Sequence, residues 1–251
     1  MILGIDLGGT KIEGIILKSD KEPIEIERLR INTEEDKGYK QIINNIKRLV
    51  DTLENKVNYK FKKIGIGTPG TLDPETQLLK NSNSQNLNKK SIKSDLENLL
   101  SKKVNIENDA NCFAAGEKHF GVGQKAEFLV GLVIGTGLGG GIILDGRLYN
   151  GPNCGAGEFG MLPYRAKNIE YYCSGQFFLN AGKRGEEFSA LARDGDPKAL
   201  MIFKDFGLHM GNAIKVVLYT YDPDLIVLGG SISKDYDLFC ESMGESIYTF
   251  A

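Results

Sequence analysis

The stretch that decides the fold is residues 1–18, MILGIDLGGTKIEGIILK. Residues 2–6 are apolar and prone to β-structure, Leu7-Gly8-Gly9-Thr10 breaks the run, and residues 11–18 alternate between apolar and polar side chains. Two strands joined by a glycine turn predict a β-hairpin. Residues 24–31, further along the chain, predict a third strand.

The same pattern returns in the second half of the chain. Residues 128–134 and 142–144 predict strands, and the glycine run 135–141, GTGLGGG, separates them. Asp145-Gly146 is typical of another hairpin turn. Because strand, glycine turn and strand occur at residues 3–17 and again at residues 129–144, the sequence favours a duplicated architecture with one copy in each half.

Helical periodicity and short apolar runs predict the remaining elements. The predicted helices are residues 37–54, 91–100, 110–117 and 196–221, the last interrupted by Gly207 and Gly211. The predicted strands are residues 62–67, 104–106 and 224–228. Residues 78–90 are rich in asparagine and serine and predict a loop.

Composition narrows the class of protein. The chain has 251 residues, with 31 Lys and Arg against 33 Asp and Glu, which argues against a nucleic-acid-binding protein. Its four cysteines are scattered and form no C-x-x-C pair, as is typical of reduced thiols. Two histidines are too few for a metal cluster. We find neither a signal-peptide pattern nor a membrane-spanning apolar run, and therefore expect a cytoplasmic protein without a membrane partner.

The first glycine turn has the chemistry of a phosphate site. Backbone N–H groups can surround a terminal phosphate when no side chain blocks the approach, and Gly8 and Gly9 permit this. Thr10 adds a hydroxyl, Lys11 an ammonium group, and Asp6 a carboxylate that could hold the water shell of Mg²⁺. A tight hairpin turn with polar neighbours explains the same six residues equally well.

The second glycine run fits G-x-G-x-x-G, the dinucleotide fingerprint, at Gly135, Gly137 and Gly140. That fingerprint needs a helix directly after the glycines, whereas residues 141–146 are prone to β-structure and end in a turn. A phosphate loop within a β-hairpin fits better, and its candidate residues are Gly135, Thr136, Gly137, Gly139 and Gly140. Gly230, after a buried strand, is a third candidate nucleotide contact or an ordinary turn residue.

Asp109 is the candidate general base. Phosphoryl transfer to a hydroxyl needs a group that accepts the hydroxyl proton. Asp109 lies just after a predicted strand, at the start of a predicted helix, and between the two glycine loops in sequence. The alternative is that Asn108 or Asp109 caps this helix. Glu158 and Glu170 are candidate acceptors for sugar hydroxyls or ordinary surface charges, and Asn83 is a candidate sugar ligand or a turn residue.

Taken in order, these pieces resemble the ROK family of repressors, open reading frames and kinases, within the sugar kinase, Hsc70 and actin superfamily. The resemblance covers nearly the whole chain. It rests on residues 4–11 (GIDLGGTK), 67–70 (GTPG), 107–111 (ENDAN), 134–141 (IGTGLGGG) and 155–160 (GAGEFG). Residues 169–175 are similar to the family's segment just after its zinc cysteines.

The resemblance implies an α/β fold of two ribonuclease-H-like domains around a cleft, residues 1–108 and 109–251. It implies ATP and Mg²⁺ as cofactors, Asp109 as the base, and residues 8–11 and 135–140 as the two phosphate loops. A homodimer is also implied. The implied sugar ligands are Asn83, Asn108, Asp109, Glu158 and Glu170.

Three departures from the family pattern change the expectations. Met161 stands where the family commonly has a histidine that contacts zinc and sugar. The zinc cysteine loop is absent and residues 162–168 are too short to hold it, so we expect no structural zinc and a modified sugar pocket. The sequence also ends at Ala251, where family members usually continue, so we expect a truncated C-terminal domain, a fragment or a short form.

The sequence therefore predicts an ATP- and Mg²⁺-dependent hexose kinase that acts on the 6-hydroxyl. Glucose is the first expectation, and an N-acetylhexosamine or another hexose is the alternative. A transcription regulator is disfavoured because no room for a DNA-binding domain precedes Ile2. A non-catalytic sugar sensor is favoured by Met161 and disfavoured by Asp109.

Overall fold

The computed structural model describes residues 1–248. The chain divides into two compact units, Met1–Cys112 with Gly151–Cys154, and Phe113–Asn150 with Gly155–Ala251. Among the residues described, no helix is long and apolar enough to cross a lipid bilayer.

The first unit is built on a five-stranded sheet with strand order β3-β2-β1-β4-β7. Strands β1, β2 and β3 are antiparallel, β4 runs parallel to β1, and β7 runs parallel to β4. The strands are β1 (Ile2–Leu7), β2 (Lys11–Leu17), β3 (Glu25–Asn32), β4 (Lys63–Thr68), β5 (Thr71–Leu72), β6 (Leu79–Lys80) and β7 (Lys103–Asn108). The helices are α1 (Tyr39–Val57), α2 (Ile92–Leu100) and the first turn of α3 (Asp109–His119).

Helix α1 covers one face of this sheet, as its apolar spacing predicts. Its stripe includes Ile42, Ile46 and Leu49, all fully buried. Close packing requires a glycine in β2, because a Cβ atom at Gly14 would lie 2.6 Å from Cδ1 of Leu53. The helix therefore lies directly on β2, and the opposite face of the sheet is left for α3.

The second unit contains a four-stranded sheet with strand order β10-β9-β8-β13, in which β13 runs parallel to β8 and the other pairs are antiparallel. Its strands are β8 (Leu129–Ile134), β9 (Leu138–Leu144), β10 (Arg147–Leu148), β11 (Pro163–Tyr164), β12 (Lys167–Asn168) and β13 (Leu225–Gly229). Its helices are α4 (Ile169–Cys173), α5 (Gly175–Asn180), α6 (Gly185–Arg193), α7 (Pro197–Tyr221) and α8 (Tyr236–Ile247).

A cluster of phenylalanines fills the core of the second unit, with Phe178, Phe203 and Phe206 fully buried. Helix α7 continues without a break through Gly207 and Gly211, although the sequence predicts that these glycines interrupt it. A Cβ atom at Gly207 would lie 2.5 Å from the backbone oxygen of Phe239 in α8. The two glycines thus let α7 and α8 approach closely.

The predicted duplication is confirmed. In both units a glycine-turn hairpin has a third antiparallel strand on one side and a parallel strand on the other, as β3-β2-β1-β4 and as β10-β9-β8-β13. Two local predictions were wrong. Strand β9 begins at Leu138, so that Gly139, Gly140 and Gly141 lie in the strand rather than in the turn. Residues 78–90 contain β6 and the 3₁₀ helix Gln85–Leu87 rather than loop alone.

Candidate active site

One row of residues crosses the first sheet near the carboxyl ends of its parallel strands. Asp6 in β1 pairs with Glu13 in β2 and with Gly67 in β4. Glu13 pairs with Arg30 in β3, and Gly67 pairs with Glu107 in β7. Paired residues present their side chains on the same face of a sheet. The glycine therefore leaves a gap between Asp6 and Glu107.

Helix α3 lies over this gap. A Cβ atom at Gly67 would lie 3.4 Å from Sγ of Cys112 and 3.8 Å from Cα of Asp109. Asp6 and Asp109 therefore belong to the same face of the first unit, and the negative charge of Asp6 acts on Asp109. Cys112 is an exposed residue, but desolvation of its thiol by the surrounding protein, followed by the charge of Glu107, raises the pKa of the thiol to about 12. The thiol is consequently protonated at neutral pH.

Asn108, not Asp109, performs the capping of α3. Oδ1 of Asn108 accepts hydrogen bonds from the backbone N–H groups of Ala110 at 2.9 Å and Asn111 at 3.3 Å. Nδ2 of Asn108 donates to the backbone oxygen of Gly70 at 3.2 Å. Oδ1 of Asp109 accepts from the N–H group of its neighbour Ala110 at 2.8 Å in a half-buried hydrogen bond, while Asp109 as a whole residue is exposed. Because the cap is supplied by Asn108, the carboxylate of Asp109 is accessible to a substrate.

The pKa of Asp109 is raised above its ordinary value. The protein surrounding the carboxylate is the main cause, the N–H group of Ala110 opposes it, and the charge of Asp6 adds to it. The pKa of Asp6 is raised as well, first by burial and then by Glu13, while Arg30 lowers it. A higher pKa makes Asp109 a stronger base than an isolated aspartate, as proton abstraction from a hydroxyl requires.

The first glycine turn is shaped by one hydrogen bond within the turn and by bonds to Asn32, the last residue of β3, and to Thr33 directly after it. The N–H group of Gly8 donates to the oxygen of Lys11 at 2.9 Å. Thr33 donates twice, from Oγ1 to the oxygen of Gly8 at 2.7 Å and from its N–H group to the oxygen of Thr10 at 2.9 Å. The ammonium group of Lys11 donates to Oδ1 of Asn32. The turn is therefore held in place while Gly9 and Thr10 remain exposed.

Asn83 lies on a structured segment of the first unit. Its neighbours Ser82 and Ser84 are buried, whereas Asn83 is exposed. Asn88 closes the segment, because its Nδ2 donates to the oxygen of Ser82 at 2.8 Å and its Oδ1 accepts from the N–H group of Ser82 at 3.0 Å. The segment presents the Asn83 amide to solvent, which is compatible with the predicted role as a sugar ligand.

Glu170 lies against the second glycine turn. Its Oε2 accepts from the N–H group of Leu138 at 3.0 Å, and its Oε1 accepts from Nε2 of Gln176 at 3.1 Å. A Cβ atom at Gly137 would lie 2.4 Å from Oε2 of Glu170. The carboxylate thus supports the turn 135–137, which closes through a hydrogen bond from Gly135 to Gly137 at 2.9 Å. Sequence reasoning missed this supporting role.

The third glycine segment lies beside the second. Gly230 follows β13 with a positive φ of 90°, and a Cβ atom there would lie 2.3 Å from the backbone oxygen of Ile134. A Cβ atom at Gly135 would lie 3.9 Å from Oγ of Ser231. Gly230 therefore could not be replaced without moving the end of β8. The structure brings together the two glycine segments of the second unit that the sequence predicts to contact nucleotide.

Glu158 is positioned by a close backbone approach between Gly157 and Gly140. A Cβ atom at Gly157 would lie 2.3 Å from the oxygen of Gly140, and one at Gly140 would lie 2.5 Å from the oxygen of Gly157. Phe159 is buried directly after Glu158, so the exposed Glu158 lies between two anchored residues. Met161 is 54% exposed in the following turn and adds an apolar surface to this region.

The side chains available as ligands limit how the protein could bind a metal ion. In the described range 1–248, no group of three or more His, Cys, Asp or Glu side chains could hold a metal ion. A magnesium ion at Asp6 would therefore need the oxygens of a bound polyphosphate as ligands. The expectation of no structural zinc stays a prediction, which elemental analysis of the purified protein would test.

Known proteins match the chain over nearly its full length. The model of the ROK family matches residues 2–251. The N-acetyl-D-glucosamine kinase of Pasteurella multocida (strain Pm70) is 32% identical, covering 98% of this chain and 89% of the relative. The N-acetylgalactosamine kinase AgaK of Shewanella sp. (strain ANA-3) is 31% identical, covering 93% of this chain and 82% of the relative.

A solved structure supports the same assignment. The ROK hexokinase from Thermus thermophilus is 26% identical, with a TM-score of 0.83, and the match covers 99% of this chain and 88% of that one. This agreement, with the strand orders of both units, confirms the predicted α/β fold of the actin-like ATPase type. The motifs around Asp6, Asp109 and Glu158 thus occur in the fold that the resemblance implied. The chain belongs to the ROK family.

Proposed function

We propose that this chain phosphorylates an N-acetylhexosamine with ATP. The observation that carries the proposal is the accessible Asp109, which is left to act as a base because Asn108 caps α3. Relatives of at least 30% identity that are named N-acetylglucosamine and N-acetylgalactosamine kinases favour an acetylated amino sugar over glucose, the first expectation from the sequence. Glucose remains the comparison substrate.

Asp109 accepts the proton of the sugar hydroxyl during the reaction. The hydroxyl oxygen then forms a bond to the γ-phosphorus of ATP, while the bond from that phosphorus to the β,γ-bridging oxygen breaks and ADP leaves. The raised pKa of Asp109 lies closer to the pKa of the sugar hydroxyl, which makes Asp109 a better proton acceptor. Its accessibility allows the hydroxyl to approach. Acting on the 6-hydroxyl is part of this proposal.

The glycine turns and their neighbours stabilise phosphate charge. In the first unit, the backbone N–H groups of Gly9 and Thr10 and the ammonium group of Lys11 would bind phosphate oxygens, and Asp6 would hold the water shell of Mg²⁺. In the second unit, the turn 135–137 and Gly230 bind the nucleotide through their backbones. The turn residue Thr136 is exposed, so that its hydroxyl is available to a ligand.

The sugar ligands divide into two groups. Asn108 and Glu170 are half-buried, and each would bind sugar with the hydrogen-bonding capacity that the contacts described above leave to it. Asn83 and Glu158 are exposed and present a larger accessible polar surface. We therefore assign the main hydroxyl contacts to Asn83 and Glu158, and supporting contacts to Asn108 and Glu170.

The proposal is tested by coupled ADP release with a panel of N-acetylglucosamine, N-acetylgalactosamine, N-acetylmannosamine, glucose and mannose. We expect the highest kcat/KM with an N-acetylated sugar, at least about tenfold above glucose, which corresponds to about 1.4 kcal/mol of transition-state binding. A reaction without sugar measures ATP hydrolysis. A higher kcat/KM with glucose would overturn the assignment of substrate, and a folded protein that turns over no sugar would overturn the kinase.

The dependence of activity on pH tests the electrostatic interaction between Asp6 and Asp109. The base must be unprotonated, so kcat/KM should rise with pH through the raised pKa of Asp109. Asp6→Asn removes a like charge, which should lower the pKa of Asp109 and move the midpoint of this rise to lower pH, whatever the absolute rate. A profile from about pH 4 to pH 8 measures the midpoint.

Asp20→Asn, in the exposed connection between β2 and β3, is the matched control and should leave that midpoint unchanged. A midpoint that stays in place or moves to higher pH in Asp6→Asn would show that the two carboxylates do not interact in the way described.

A further inference from the structure

A short segment of the first unit contacts both the first glycine turn and residues 82–88, which we call the Asn83 segment. It comprises Thr33, Glu34 and Glu35, directly after β3, and we call it the bridge segment. On the side of the glycine turn, the two hydrogen bonds of Thr33 reach the oxygens of Gly8 and Thr10. Thr33 is 1% exposed, so these bonds are shielded from water.

Glu35 makes the contact at the centre of the turn. A Cβ atom at Gly9 would lie 3.3 Å from Oε2 of Glu35, so the carboxylate lies against a residue of the proposed phosphate turn. A different side chain at position 35, or a movement of the Glu35 carboxylate, would therefore change the space available to Gly9. The other carboxylate oxygen of Glu35 faces a different partner.

That partner is the Asn83 segment. Oγ of Ser84 donates to Oε1 of Glu35 at 2.5 Å, and Nδ2 of Asn86 donates to the backbone oxygen of Glu35 at 2.9 Å. Ser84 is 4% exposed and follows Asn83 directly, so a shift of the Asn83 backbone must move this hydroxyl. Glu35 is thus hydrogen-bonded to the segment that carries the proposed sugar ligand.

The bridge segment is held firmly from α1. Nδ2 of the buried Asn45 donates to the oxygen of Thr33 and to Oε2 of Glu34, both at 3.1 Å. Lys37 and then Asn45 lower the pKa of Glu34 to about 2, so its carboxylate stays charged at neutral pH. Helix α1 therefore holds Thr33 and Glu34, the two residues directly before Glu35.

From these contacts we infer that Glu35 is a positioning residue that couples sugar binding at the Asn83 segment to nucleotide binding at the first glycine turn. The inference rests on the proposed function. It adds a chain of contacts, all within the first unit, that connects the proposed sugar ligand Asn83 to the first glycine turn. A sugar that binds Asn83 changes the position of Ser84, the Ser84 hydroxyl holds the Glu35 carboxylate, and the carboxylate limits Gly9. Coupling of this kind is reciprocal, so the nucleotide must change sugar affinity by the same factor.

Isothermal titration calorimetry tests the coupling without turnover. The dissociation constant of Mg²⁺–ADP is measured with and without saturating N-acetylglucosamine, and the ratio of the two is the coupling factor. For the unmodified chain we expect a factor of about five or more. In Ser84→Ala and in Glu35→Gln we expect the factor to fall to within about twofold of one, while the affinity for Mg²⁺–ADP alone changes by less than about threefold.

Two matched controls separate coupling from general damage. Ser94→Ala removes an exposed hydroxyl in α2, and Glu22→Gln removes an exposed carboxylate that pairs with Lys18. Both should keep the coupling factor of the unmodified chain, and thermal unfolding should show all four variants folded. A purely structural role of Ser84 or Glu35 would lower stability without changing the factor.

The outcomes are distinct for the two proposals. If the unmodified chain binds both ligands with a factor of one, or if both variants keep its factor, this inference is overturned and the kinase proposal stands. If the unmodified chain binds neither N-acetylglucosamine nor Mg²⁺–ADP, the proposed function and the inference are both overturned.

Discussion

Asp109→Asn is expected to lower kcat by about 10³-fold, with the KM values for sugar and ATP changed by less than about tenfold. The asparagine keeps the size of the side chain and one oxygen acceptor but cannot accept the hydroxyl proton. Because Asn108 supplies the cap of α3, the substitution should leave the helix intact, and thermal unfolding should be nearly unchanged. Coupled ADP release with the best sugar of the panel measures the rate.

Asp51→Asn is the control for this substitution. Asp51 pairs with Lys47 on the exposed side of α1, so its loss should change neither kcat nor KM. A loss of less than about tenfold in Asp109→Asn would show that another group accepts the proton. A large loss of stability in the same variant would instead show that Asp109 has the structural role that the sequence left open.

The sequence predicted the elements whose signals are local. The hairpin β1–β2 depends on Gly8-Gly9 and on alternating side chains, and both are visible within 18 residues. The rejection of the dinucleotide fingerprint at Gly135 was correct as well, because the strand β9, and not a helix, begins at Leu138 within the glycine run. Asp109 could be proposed as a base because its place between a strand and a helix is also a local signal.

Contacts between distant residues could not be predicted. Glu170 supports a turn 32 residues earlier in the chain, and Ser84 meets Glu35 across 49 residues. Nothing in the residues around Glu170 or Glu35 distinguishes them from surface carboxylates. Likewise, Asn108 and Asp109 compete for the same capping role in the sequence, and the hydrogen bonds of α3 assign it to Asn108.

Glycines were the residues most open to misinterpretation. A glycine in a sequence can indicate a turn, a phosphate contact or a weak point in a helix, and the sequence alone does not distinguish these roles. The structure separates these roles: Gly207 permits helix contact, Gly67 leaves a gap beside Asp6, and Gly140 lies in a strand against another backbone. The role depends on what a Cβ atom would meet, and that is a property of the packed chain.

Gly157→Ala is expected to be strongly destabilising for this reason. Gly157 has a positive φ of 91°, where an alanine is strained by about 1–3 kcal/mol, and its Cβ atom would overlap the oxygen of Gly140, which belongs to β9 and cannot move independently. We expect the free energy of unfolding to fall by about 3 kcal/mol and Tm by about 6–12 °C, as measured by calorimetry.

Gly155→Ala is the matched control because it lies two residues earlier, where a Cβ atom would meet nothing within 4 Å and φ is not positive. It should change Tm by less than about 2 °C. The pair also tests the site, because Glu158 follows Gly157: at temperatures where both variants are folded, Gly157→Ala alone should raise the KM for sugar more than the KM for ATP. Equal Tm values for the two variants would show that the backbones of Gly157 and Gly140 are not in the tight contact described here.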